Sequence, residues 1–81
     1  MEHIYVIETK CNHTLRWRFE EIQHKSEYGN GKYVIIVNLD THELIGYIDV
    51  RYYVNFNFTT FCEEYIKEYF GNNLNKHFME E

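Results

Sequence analysis

Two cysteines and several histidines are the side chains of this sequence with the clearest potential for chemistry. Cys11 and His13 are two residues apart, so an extended chain places both on one side. A thiolate nucleophile also needs an oxyanion donor and a positioned base, and the local pattern supplies nothing beyond this pair. Cys62 falls on an apolar stripe at helical spacing, which is typical of a core thiol. We therefore predict that the protein is not an enzyme.

The same region raises the alternative of a metal site. His3, Cys11 and His13 all lie in the first part of the chain. Zinc prefers four ligands, usually as paired short spacings, and Cys11-x-His13 is one such spacing without a second. We predict no metal and no cofactor, and keep a small metal-binding domain built on these three residues as an alternative interpretation.

Composition limits the class of protein. The sequence of 81 residues is long enough for one small domain, spanning 1–81. Its 13 acidic residues outnumber 8 Lys and Arg, giving a net charge of −5, which disfavours general nucleic-acid binding. The longest apolar run, 33–37, is far shorter than the roughly 20 residues that cross a membrane. Two thiols and no apolar signal segment predict a cytoplasmic protein.

The first two strands are predicted at residues 3–9 and from His13 onward, joined by a turn at 9–12. In the second strand one side of the alternation is apolar, with Leu15, Trp17 and Phe19. A hairpin centred on residues 10 and 11 places Ile4 opposite Trp17 and Tyr5 opposite Arg16. Trp17 is then a core residue, and its two arginine neighbours point away from the core.

A second hairpin turn is predicted at Asn30-Gly31, because these residues accept the positive φ angles of a type I′ turn. This turn sets Tyr28 opposite Tyr33. The inward residues then change from odd to even positions along the second strand, and Glu20-Glu21 is the predicted site of a β-bulge.

Residues 33–39 predict the third strand and 44–58 the fourth, with a turn at 40–43. One face of the fourth segment is apolar throughout and the other is mostly polar or amphipathic, and the turn sets Ile35 opposite Ile48. Its far half, 52–58, has no partner strand within this arrangement. That half could pair with a second copy of the chain.

A helix is predicted to begin at Thr59 or Thr60, with Thr60 and Glu63 forming a capping box. Gly71 predicts a break, although Leu74 and Phe78 continue the i+4 series. The predicted fold is α+β: a four-stranded antiparallel β-meander with one C-terminal helix packed on one sheet face, in two layers. The helix is expected to cover the sheet face that carries Trp17, Ile35, Ile48 and Tyr52.

These elements leave one sheet face and the outer helix face as candidate binding surfaces. Tyrosine and arginine are enriched at protein–protein hot spots. The predicted interface residues are Tyr5, Arg16, Arg18, Tyr47, Asp49, Arg51 and Tyr53 on the sheet, with Glu64 and Glu68 on the helix.

We predict a non-enzymatic protein-binding module whose partner is another protein. Small size, acidity and a composition without Ala or Pro are typical of a phage or mobile-element inhibitor of a host defence or nucleic-acid enzyme. A homodimer through the fourth strand or the open sheet face is a further expectation. A single-stranded nucleic-acid-binding domain that uses the Tyr/Arg face is the alternative, since such a face could stack bases.

Overall fold

The computed structural model describes the backbone of residues 1–26 and 29–81 and the side chains of 1–23, 31–75 and 78–81. Within those residues the chain forms five strands and one α-helix, with a 3₁₀ turn at Gly71–Asn73 after the helix. The elements are β1 (Glu2–Thr9), β2 (Thr14–Ser26), β3 (Gly29–Asn38), β4 (Leu44–Asp49), α1 (Phe58–Phe70) and β5 (Leu74–Glu80).

The strands form one antiparallel sheet in the order β4-β3-β2-β1-β5. The α+β class is confirmed, but the predicted four-strand meander lacks β5. The chain leaves β4 at one edge, passes through α1, and returns as β5 at the opposite edge beside β1. Phe78, predicted at helical spacing from Leu74, instead lies in β5 opposite Ile7.

The β1–β2 register differs from the prediction by one residue. Asn12 has a positive φ of 63°, and its N–H donates to the Thr9 carbonyl at 3.0 Å. This conformation gives a three-residue connection rather than a two-residue one. Tyr5 therefore lies opposite Trp17 rather than Arg16, and its side chain turns to the other side of the sheet.

The β2–β3 hairpin also closes at a different place. Ser26 pairs with Gly29, so Asn30 and Gly31 lie within β3, opposite Lys25 and His24. The predicted Asn30-Gly31 turn is therefore wrong, and Tyr28 lies outside the described residues.

The predicted β-bulge in β2 is wrong as well. Glu20 and Glu21 pair in continuous register with Ile35 and Val34. The even residues of β3 consequently face the helix. Ile35, predicted on the helix side, faces away from it.

Two register shifts are observed among the described residues, one at Ile7–Thr9 in the pairing of β1 with β5 and one in β4. Gly46 pairs with Ile36 and Leu44 pairs with Val37, which leaves Ile45 as the extra residue. The predicted pairing of Ile35 with Ile48 is therefore also wrong by one residue.

The fourth strand is much shorter than predicted. It ends at Asp49, and residues 50–57 form turns that lead into the helix. Tyr52, predicted to face the helix, is 80% exposed in this loop. The extended half-strand on which dimerisation by strand addition depended does not form.

The helix begins one or two residues before the predicted start. Asn57 is the N-cap, and its Oδ1 accepts a 2.9 Å hydrogen bond from the Thr60 N–H. This single side-chain cap replaces the predicted Thr60–Glu63 capping box. The predicted break at Gly71 is confirmed, because Gly71 takes a φ of 52° and donates its N–H to the Lys67 carbonyl.

The hydrophobic core lies between α1 and one face of the sheet. Trp17 is its centre, with ring centroids of Tyr69 and Phe70 at 4.8 and 5.0 Å. The buried residues of this core are Tyr5, Ile7, Trp17, Phe19, Val34, Ile36, Val50, Phe58, Phe61, Cys62 and Ile66. The second face of the sheet has no helix on it among the described residues.

Candidate binding surfaces

The sheet face opposite the helix is the first candidate surface, and we call it the open face. Its residues include Glu2, Ile4, Val6, Glu8, Arg16, Arg18, Glu20, Ile22, Tyr33, Ile35, Val37, Leu44, Tyr47, Asp49 and Met79. Leu44, Tyr47 and Met79 are each more than half exposed. The predicted outward orientation of Arg16 and Arg18 is confirmed, because the neighbouring residues Trp17 and Phe19 in β2 are buried on the opposite face.

Ion pairs accompany the arginines of this region. Arg16 makes a two-pronged contact with the Glu81 carboxylate, with N–O distances of 3.0 to 3.1 Å. Arg18 lies 3.7 Å from the Glu20 carboxylate. Arg16 is thus hydrogen-bonded to a carboxylate of the same chain and is less available for a phosphate, whereas the Arg18 pair is beyond hydrogen-bond distance and weak.

Arg51, predicted on the sheet, lies instead in the loop after β4, where it forms a third pair with Asp49, the last residue of that strand. Their N–O distance is 2.8 Å, and the Arg51 side chain lies over the Tyr52 ring at 5.1 Å. Hydrogen bonds from Arg51 lower the pKa of Asp49. Asp49 thus serves to shape the loop that follows β4, because it also accepts the Arg51 backbone N–H at 3.0 Å.

Tyr5 does not belong to the open face, so its predicted place in an outward interface is wrong. It is 3% exposed and lies in the core, with the Phe19 and Phe78 rings at 5.6 and 5.7 Å. Burial raises the pKa of its hydroxyl well above the ordinary value.

Burial likewise raises the pKa of the Cys62 thiol to about 12, so this thiol stays protonated and unreactive.

The three residues of the metal alternative lie at opposite ends of β1. His3 contacts the Glu80 carboxylate through Nδ1 and packs on the Phe58 ring at 4.9 Å. Cys11 and His13 belong to the turn after β1, and the six residue steps from His3 to Thr9 along the strand span about 20 Å. The structure does not bring these ligands together, and no cluster of three potential metal ligands occurs in the part of the chain that it describes.

A second candidate surface is a groove between α1 and the loop before it, which we call the helix–loop groove. It has a volume of about 330 Å³. Its lining residues are Tyr53, Val54, Asn55, Phe56, Asn57, Thr60, Phe61, Glu64, Tyr65 and Glu68. The helical members recur every three or four residues, so they form one stripe along α1.

The groove unites three predicted interface residues that the sequence had placed on separate surfaces. Tyr53 comes from the loop rather than from the sheet, and Glu64 and Glu68 come from α1. Sequence reasoning missed the loop itself, because residues 50–57 continue the alternation of β4. Asn55 and Asn57 were the available signals, since Asn favours left-handed turns and helix N-caps.

No family model matches the chain, and neither a curated protein nor a solved structure matches it. Over the described residues the fold defines an α+β domain with an antiparallel sheet and one helix that covers one face of it. Among the described residues no helix is both long and apolar enough to span a membrane.

Proposed function

We propose that this protein is a non-enzymatic protein-binding module that docks on an apolar surface of another protein through its open face. One observation carries the proposal. Residues 4–7 of β1 and 33–37 of β3 are apolar on both faces of the sheet, although α1 covers only one face. Antiparallel sheets with one solvated face normally place polar residues on it, whereas strands that are apolar on both faces are typical of sheets covered on both sides.

The side chains of the open face support this proposal. Ile4, Val6, Ile35 and Val37 are only half-buried there. Tyr47 is 53% exposed, and its ring lies 5.0 Å from that of Tyr33, so the two rings form a broad aromatic contact. Aromatic residues surrounded by aliphatic ones are typical of the central part of a protein interface.

The charges favour a protein partner over single-stranded nucleic acid. Stacking platforms for nucleic acid combine aromatic rings with basic groups that are free to contact phosphates. Here Arg16 already pairs with a carboxylate, and the chain as a whole carries a net charge of −5. A phosphate backbone would have to displace that carboxylate.

The test compares two exposed tyrosines that differ in location. Tyr47→Asp places a charge in the open face, and Tyr52→Asp makes the same change in the loop, where the ring is also exposed. Affinity-tagged wild type and both variants are incubated with lysate of the organism that encodes the protein, and the bound proteins are quantified. We expect a partner bound by wild type and Tyr52→Asp and lost with Tyr47→Asp.

Two results would contradict the proposal. One is equal capture of the partner by Tyr47→Asp, with circular dichroism showing that the variant is folded. The other is salt-sensitive binding of single-stranded oligonucleotides that is lost in Arg16→Ala and Arg18→Ala. Sedimentation at several concentrations identifies a second copy as the partner if wild type dimerises and Tyr47→Asp stays monomeric. Inhibition of a host defence or nucleic-acid enzyme remains a prediction from composition.

A further inference from the structure

We propose that the helix–loop groove binds the side chain of an arginine presented by a peptide segment of a partner protein. The groove lies on the helix side of the sheet, opposite the open face, so this proposal does not rest on docking through that face. Its volume of about 330 Å³ is at the lower end of the range of ligand pockets. This size suits one long side chain with its flanking backbone.

The apolar part of the groove is a cluster of three aromatic rings. The centroids of Tyr53, Phe56 and Phe61 lie 5.7 to 5.9 Å from one another. Tyr53 is half exposed and Phe61 nearly buried, so the cluster has an accessible edge and a fixed base. A guanidinium group stacks on such rings, and its aliphatic stem packs against them.

The polar part of the groove is acidic. Glu64 and Glu68 lie one helical turn apart, and none of the lining residues is basic. Like charges at i and i+4 repel each other, so a cation bound between them relieves that repulsion. A guanidinium also matches carboxylates in geometry, because it donates several hydrogen bonds in one plane.

The existing ion pairs leave this charge available. Lys67 lies 3.9 Å from Glu64, but both side chains are more than half exposed, and such pairs are weak. Glu68 has no ion pair within the described residues. Neither carboxylate is committed to the fold.

One ring of the cluster already takes part in a cation–π contact. The Lys32 ammonium lies 5.1 Å from the Phe56 centroid. Lys32 is itself paired with Glu21 at 2.5 Å, so it adds no unbalanced positive charge near the groove.

The test uses a defined probe and NMR. Acetyl-Leu-Arg-Leu-amide is titrated into ¹⁵N-labelled protein, with the citrulline peptide, which has the same shape and no charge, as the control. We expect shifts at the backbone amides of Asn55, Thr60, Glu64 and Glu68, and a dissociation constant on the order of 1 mM. The citrulline peptide should bind several-fold more weakly.

Matched variants then locate the charge. Glu64→Gln combined with Glu68→Gln should weaken arginine-peptide binding by roughly three- to tenfold, since two rim ion pairs are lost. Glu43→Gln removes an exposed carboxylate from the β3–β4 turn and should leave the affinity unchanged. Tyr47→Asp should also leave it unchanged, which separates this site from the open face.

The proposal is overturned if the citrulline peptide binds equally well, or if the double variant keeps wild-type affinity. It is also overturned if the shifts fall outside the groove or if no shift occurs at about ten times the expected dissociation constant. All of these variants alter exposed side chains, and circular dichroism of each variant verifies that it is folded.

Discussion

The contact between Gly46 and the helix gives the most direct test of how α1 sits on the sheet. A Cβ at position 46 would lie 2.7 Å from the Tyr65 hydroxyl and 3.1 Å from Ile36 Cδ1. The Tyr65 ring cannot swing away freely, because it packs against Phe19 and Phe61 at 6.0 and 5.9 Å. We therefore expect Gly46→Ala to force a local displacement of the helix or of Tyr65.

The magnitude follows from two opposing contributions. Overpacking a core typically costs about 1–3 kcal/mol. Replacing glycine by alanine in ordinary extended backbone gains about 0.4–1 kcal/mol by restricting the unfolded chain. We expect a net loss of about 1–2 kcal/mol in the free energy of unfolding, and each kcal/mol should lower Tm by about 4–8 °C in a domain of this size.

A double-mutant cycle measured by urea denaturation isolates the cause. Tyr65→Phe removes the hydroxyl, and the nearest remaining ring atom, Cζ, lies at an ordinary distance of 3.5 Å from the added Cβ. Gly46→Ala should then cost much less in the Phe background, with Ile36 the only close contact left. A neutral or stabilising Gly46→Ala, or an equal cost in both backgrounds, would refute the reasoning.

Three further predictions concern the helix N-cap and the two cysteines. Asn57→Ala should destabilise the protein by about 1 kcal/mol in urea denaturation because the helix loses its N-cap. The control variants Asn57→Asp and Thr60→Ala should have small effects. An equal loss of stability in Thr60→Ala would instead favour the capping box. At pH 8 a thiol reagent should modify exposed Cys11 rapidly and Cys62 only after unfolding. Because burial raises the folded-state pKa of Cys62 from 9.0 to about 12, stability should fall as pH rises from about 9 towards 12. That fall should be smaller in Cys62→Val, and an unchanged pH dependence would contradict the assignment.

Clear alternation assigned the side chains of β2 to the correct faces, although the same kind of pattern continues past the end of β4 at Asp49 into the loop 50–57. In β2 the apolar residues Trp17 and Phe19 alternate with Arg16 and Arg18, and each side chain lies on the predicted side. A shift of one residue would have buried two arginines, so the sequence specifies the orientation strongly.

The strands without alternation were placed less well, for a physical reason. Residues 4–7 of β1 and 33–37 of β3 are apolar at every position, so either face could enter the core. The conformation of the turn then determines the register of β1 and β2, and the left-handed conformation of Asn12 gives the three-residue connection. Nothing in the hydrophobic pattern distinguishes that register from its neighbour.

The segment after Gly71 was ambiguous because of its spacing. Leu74 and Phe78 are four residues apart, which places them on one face of a helix and equally on one face of a strand. Pairing with β1 makes this segment a strand, because the backbone of β5 forms hydrogen bonds with the edge of β1 that would otherwise be unpaired. That edge is a tertiary feature, which local sequence does not encode.

The ambiguity of register and the proposed binding surface have one origin. Within residues 4–7 of β1 and 33–37 of β3, both sets of alternating residues are apolar, so either set could have entered the core. The set that did not enter the core lies on the open face and includes Val6, Ile35 and Val37. A sheet that needed to bury only one face could carry polar residues there and would specify its register better. Apolar residues on both faces lower the specificity of the register and leave apolar surface exposed to water. The partner protein of the proposed function would cover that surface.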